Sequence, residues 1–143
     1  MQVAFGIVVV VLASLAWLGQ ATSWLAPAAA AQWGLMEPED SVEPVYFADV
    51  RGEARWDTLV LWIMVVAGLL MIVDGGAWPY FGLVGGGMFI YFAGRGVVTR
   101  REMQRRGYRI GATRNVTTAY ALSTVWGLMG GITVAVAIAE LSS

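Results

Sequence analysis

The side chains able to do chemistry in this chain are few and of two kinds. Ten Asp and Glu stand against nine Arg, and the sequence contains no lysine, no histidine and no cysteine. Thiolate and lysine nucleophiles, imidazole proton relays, and the thiolate or imidazole ligands of zinc and iron sites are therefore missing together. What remains is carboxylate chemistry assisted by arginine. The densest grouping is DVRGEARWD, where Arg51 and Arg55 are four apart and Glu53 and Asp57 are four apart, so a helix would carry them as like-charged stripes on neighbouring faces. Arg95 stands alone in a later apolar stretch. Arg51, Glu53, Asp57 and Arg95 form the candidate charged cluster; acid chemistry at Glu53, Asp57 or Asp49 with an arginine is the only enzyme-like use open to it. No catalytic residue, metal ligand or cofactor is assigned.

The elements that must position these charges are set by composition. With 58% hydrophobic and only 13% charged residues, the chain lies far from the roughly 25% charged norm of soluble domains. An apolar run of roughly 20 residues crosses a hydrocarbon core in helix. The spans expected are 3–25, 56–74, 78–98 and 116–141, within one integral membrane domain covering 1–143. The fold expected is all-α, a four-transmembrane-helix bundle. No Lys or Arg precedes the first apolar run, so that run reads as a retained span and not as a signal peptide. Pro27 ends it and opens a short interfacial helix. DGGAW, residues 74–78, reads as a tight turn between the second and third spans.

Loops 26–55 and 99–115 fall on one side of such a bundle. Every arginine lies in them or beside them, which by the positive-inside rule makes that side cytoplasmic and puts both termini outside. The segment 37–57 holds seven acids and two arginines, net −5, so the acidic and basic loops are expected to dock. Arg100, Arg101, Arg105, Arg106 and Arg109 are expected to contact anionic lipid headgroups, at about 1 kcal/mol each near the surface. No stacking platform accompanies them, which excludes nucleic acid as the partner. Arg95 is expected to meet Asp57, or Glu53 one turn further out, because charges inside spans are paired or snorkel.

Glycines four apart, Gly82 with Gly86 and Gly127 with Gly131, give the third and fourth spans faces for close packing, against each other or across a homodimer. Trp and Tyr read as interfacial belts, with Trp78 and Tyr80 at the outer one. The segment from Pro27 to the Gly34 and Leu35 pair, the DVRGEARWD entry to the second span and the Gly94, Arg95, Gly96 exit from the third together resemble the small bacterial DoxX-like four-helix membrane proteins. In that resemblance Arg51 and Arg95 occupy the helix ends where arginines are expected, and it implies a four-helix bundle and, for some members, association with redox complexes. The functional expectation is a non-enzymatic accessory or interaction subunit of a membrane complex. The alternative is a small transporter or channel with a polar site near the cytoplasmic ends of spans two and three. A cavity between the helices reaching Arg95 would favour the alternative or a membrane enzyme, and a filled bundle the accessory role.

Overall fold

A computed structural model describes residues 2–142. Among them are four helices long and apolar enough to cross a membrane, Gln2–Leu25, Pro44–Ile72, Trp78–Arg105 and Thr113–Leu141. The chain is an all-α, multi-pass membrane protein. Its lipid-facing surface is apolar, with residues such as Ile7, Leu18, Val84 and Leu128 exposed, as expected where the solvent is hydrocarbon and every backbone group must bond within its own helix.

The first helix, α1 (Gln2–Leu25), buries a stripe of small residues that includes Gly6, Ala13 and Ala16. After Ala26, Pro27 opens α2 (Pro27–Gln32) at its first position, where the missing N–H costs nothing. Gly34 turns the chain with φ +71°, a 3-10 turn spans Glu39–Ser41, and Pro44 starts α3 (Pro44–Val60). A one-residue break at Leu61 separates α3 from α4 (Trp62–Ile72). There Met64 N–H reaches back three residues to Leu61 O, and the Trp17 indole donates to the Thr58 carbonyl at 2.8 Å. A turn with Asp74 at φ 54° leads to α5 (Trp78–Arg105), and Gly107 and Gly111, both at positive φ, lead to α6 (Thr113–Leu141).

Two helices run beyond the expected spans. Much of the segment 26–55 is helical, since α3 begins at Pro44, and α5 continues past residue 98 to Arg105. The polar residues at these ends continue the helices beyond their greasy portions: in α5 Glu102 pairs with Arg105 and Arg106 on one face, and the acids of α3 are met from α5 by Arg95.

The helices pack in the order α1, α4, α5, α6, with α3 continuing the α4 layer and touching α1 and α5. The central core joins Val9 and Ala13 of α1, Leu61 and Met64 beside the break, Phe89 and Phe92 of α5, and Met129 of α6. Backbone approach sets the spacing. A β-carbon on Gly68 would lie 3.0 Å from Gly6 O, one on Gly85 2.9 Å from Met64 Cα, and one on Gly130 2.7 Å from Gly86 O.

Gly82, Gly86 and Gly127 face the α5 and α6 interface, where a β-carbon would meet Thr133, Val134 and Ala93 respectively. Gly131 does not: nothing lies within 4 Å of its would-be β-carbon. Its neighbour Gly130 takes the contact, because the helix phase set by Met129, Gly130 and Thr133 puts position 131 off the buried face. Trp78 also departs from the belt expectation. It is buried against Met71 and Ala137, closing the bundle at the turn end while Tyr80 stays exposed.

Gln2 reaches Met71 and Asp74, so the N-terminal residues sit at the turn end of the bundle. The arginines gather at the other end, where Glu43 N–H bonds Arg109 O at 2.8 Å. The loops there dock through an apolar cluster, Val42, Tyr46, Ile110 and Val116. Charge contributes less than the net −5 suggests. Across the two segments Arg109 pairs with Glu43 at 3.2 Å, and Glu37 accepts from Ala112 N–H and Asn115 Nδ2.

Candidate functional site

The charges of DVRGEARWD enter the bundle because α3 turns one face towards α5. Asp49, Glu53 and Asp57 recur every four residues along it. Arg95 extends towards the arginine-rich end, the direction in which a cation on a span lowers its cost. Its Nη2 lies 2.6 Å from Asp49 Oδ1 and its Nη1 2.6 Å from Glu53 Oε1. The arginine therefore both snorkels and pairs, reaching Glu53 and then Asp49 and passing over Asp57. Asp57 is 4% exposed, and its Oδ2 has no hydrogen-bond partner. Two of the three carboxylates thus share one guanidinium, and Asp57 is left without it. Arg51 is half-buried on another face and makes no ion pair among the described residues. Arg55 stacks over Trp24 at 5.8 Å.

Above the central core, at the arginine-rich end, the helices do not close. A cavity of about 380 Å³ lies among α1, α3, α5 and α6, under the segment that joins α2 to α3. Its apolar part includes Leu15, Phe92, Leu122 and Trp126, and its polar part Tyr46, Glu37, Glu53, Arg100, Arg114, Asn115 and Ser123. Arg100 differs from the other arginines expected at headgroups. Arg101, Arg105, Arg106 and Arg109 are exposed, whereas Arg100 is half-buried and lines the cavity. Gly96 explains the turn inward: Arg100 Nη1 donates to Gly96 O at 2.9 Å, and any β-carbon at Gly96 would lie 2.9 Å from that nitrogen. The guanidinium then faces Tyr46 and has no carboxylate within ion-pair distance among the described residues. The cavity meets the surrounding lipid between α1 and α6, which touch little; Leu15 and Leu122 line it and are also 62% and 43% exposed. Trp126 forms its floor, donating to Leu12 O at 3.0 Å and tilting against Phe92.

The chain matches no family model, no curated protein and no solved structure.

Chemically the site can bind and orient. Among the described residues no group of three or more carboxylates is placed to hold a metal ion. The hydroxyls in the spans mostly bond back to their own helices, as Thr133 does to Met129 O; Ser123, in the cavity wall, makes no such bond. The other arginines are outward or locally held: Arg105 and Arg106 pair with Glu102, and Arg101 lies over Tyr120. Sequence reasoning found the acid stripe and Arg95 but missed Arg100 as an inward cation. The available signal was Gly96 four residues before it, a helix position stripped of its side chain directly beneath a long cation.

Proposed function

We propose that this protein is a non-enzymatic membrane protein that holds an amphiphile in the cavity at its arginine-rich end. The observation that carries the reading is the pairing, in one cavity open towards lipid, of the unpaired Arg100 guanidinium with an apolar floor of Leu15, Phe92 and Trp126. An anionic head, phosphate or carboxylate, would take the guanidinium and the Tyr46 hydroxyl, and its chain would leave between Leu15 and Leu122. Charge-assisted bonds to arginine are the strong ones in such a site. By the positive-inside rule this end faces the cytoplasm and both termini lie outside, so the ligand would come from the inner leaflet. The four exposed arginines at this end of the bundle, Arg101, Arg105, Arg106 and Arg109, would hold the same leaflet's anionic headgroups.

The test is equilibrium binding of dodecyl phosphate to delipidated protein in phosphatidylcholine nanodiscs, with dodecyl maltoside as the neutral comparison. Dodecyl phosphate should bind saturably, and Arg100→Gln should weaken it tenfold or more. Equal binding by the variant, or equal affinity for the neutral amphiphile, overturns the reading.

A second reading, a subunit of a larger membrane complex or a homodimer, is favoured by the outward face of α5. There Gly87 and Gly94 have nothing within 4 Å of their would-be β-carbons, leaving the backbone open to another helix. The mass of the gently extracted protein, by native mass spectrometry, separates a bare chain from a dimer or a recurrent foreign subunit. The kinship to DoxX-like proteins belongs to this proposal too. It rests on the Pro27, DVRGEARWD and Gly94 to Gly96 motifs and would extend the second reading to redox assemblies.

A further inference from the structure

One helical turn along α5 from Arg95, away from the arginine-rich end, a separate groove runs between the α3 and α4 helix and α5. It is lined by Trp56, Asp57 and Leu61 on one wall and by Val84, Gly87 and Tyr91 on the other. The Leu61 break lies one turn from Asp57, and Gly87 adds no side chain to fill the space opposite. The groove is apolar apart from the Asp57 carboxyl and the polar edges of the Trp56 and Tyr91 rings. That side chain is almost wholly buried, and its Oδ2 faces no donor, although Glu53 beside it is taken by Arg95. An unpartnered buried oxygen costs about 1–3 kcal/mol, more if charged, and an ionisable side chain within a span marks a functional site with a partner to be named. The rings of Trp56 and Tyr91, 60% and 63% exposed, stand at the edges of the same groove, and aromatic faces attract cations.

We propose that this groove binds an amphiphilic organic cation, an alkylammonium, with its head at Asp57 between the Trp56 and Tyr91 rings and its chain along Val84 and Leu61. The site is independent of the Arg100 cavity and selects the opposite charge. Its head position lies where α3 gives way to the uncharged α4, at the edge of the hydrocarbon layer, the depth at which an alkylammonium rests in a bilayer. Asp57 supplies the charge, the rings supply preference for a cation over a neutral head, and the break at Leu61 with Gly87 supplies the room. The three carboxylates on this face have one guanidinium among them, so a second cation completes the local balance.

The experiment titrates dodecyltrimethylammonium and dodecylamine into the full chain in phosphatidylcholine nanodiscs, reading tryptophan fluorescence and thermal stability. Dodecyl phosphate and dodecyl maltoside serve as the charge-reversed and neutral probes. Saturable binding of both cations is expected, at least tenfold weaker in Asp57→Asn and unchanged in Arg100→Gln. Tyr91→Ala, a substitution at an exposed ring that holds no core contact, should weaken the cations several-fold and keeps the test valid if Asp57→Asn fails to fold. Equal binding to wild type and Asp57→Asn overturns the proposal, as does a cation signal no stronger than the maltoside one. A homodimer abolished by Asp57→Asn in a protein that binds no alkylammonium also overturns it, by giving the groove to a second copy of the chain.

Discussion

Adjacent glycines in α6 should respond in opposite directions to the same substitution. In Gly130→Ala the new β-carbon would stand 2.7 Å from Gly86 O, 3.1 Å from Phe89 Cβ and 3.2 Å from Ile90 N. Two of those atoms are backbone, so no rotamer change relieves the overlap, and α5 and α6 must move apart by about half an ångström or more. Overpacking of that kind costs about 1–3 kcal/mol, offset by the 0.5–1 kcal/mol or so that alanine gains over glycine inside a helix. The net is a loss of about 1–2 kcal/mol. Gly131→Ala meets nothing within 4 Å and keeps only the favourable part, a gain of up to about 1 kcal/mol. Thermal unfolding of both variants and the wild type in the same nanodiscs, followed by circular dichroism, reads the difference. Equal shifts, or a larger loss for Gly131→Ala, would show that the helix phase at the α5 and α6 interface is wrong and that the close backbone contact is not what holds these spans together.

Three further outcomes follow from other parts of the molecule. Arg95→Met leaves Asp49 and Glu53 without their shared cation and should cost about 1–3 kcal/mol, less than the loss of a fully buried pair because the cluster is partly exposed; Glu53→Gln in that background should restore part of it, and a loss below about 1 kcal/mol in thermal unfolding would refute the pairing. Gly19→Leu puts a side chain into the cavity wall where a β-carbon has open space, so it should block dodecyl phosphate binding in nanodiscs while leaving the melting temperature at or above the wild-type value. Gly111→Ala combines φ +115° with overlap of the Glu37 carboxylate. It should destabilise the docked loops by about 1–3 kcal/mol, seen as faster amide exchange at Ala112 and Asn115 with the spans unchanged.

The architecture was legible because membrane spans depend on length and polarity, both readable one residue at a time. The charge of the cluster was legible for a related reason: acids at positions 49, 53 and 57 share a helical face in any helix, and a lone arginine at 95 must find them or water. Which acids it would find was not. That depended on the direction of the Arg95 side chain, which runs towards the arginine-rich end and so bypasses Asp57. The same limit hid the choice between Gly130 and Gly131, since two glycines side by side leave the phase of α6 undetermined until Met129 and Thr133 are seen facing inward. The cavity was invisible in the sequence because it is a property of four helices diverging together. The acidic and basic segments were expected to meet through charge; they meet mainly through Val42, Tyr46, Ile110 and Val116, residues too scattered to read as a cluster.

The sparse seam between α1 and α6 has a consequence for how the protein is made. Every extensive interface joins successive spans: α1 with the helix formed by α3 and α4, α4 with α5, and α5 with α6. Each helix delivered to the bilayer therefore finds its partner already waiting, and local pairing of this kind is quick. Nothing has to be threaded back at the end. Among these four spans the last contact to form is that of α1 with α6, held by little more than the Trp126 indole on the Leu12 carbonyl. The edge that forms last is the edge that opens first, so lipid present during synthesis has a way into the bundle without any interface formed earlier having to come apart.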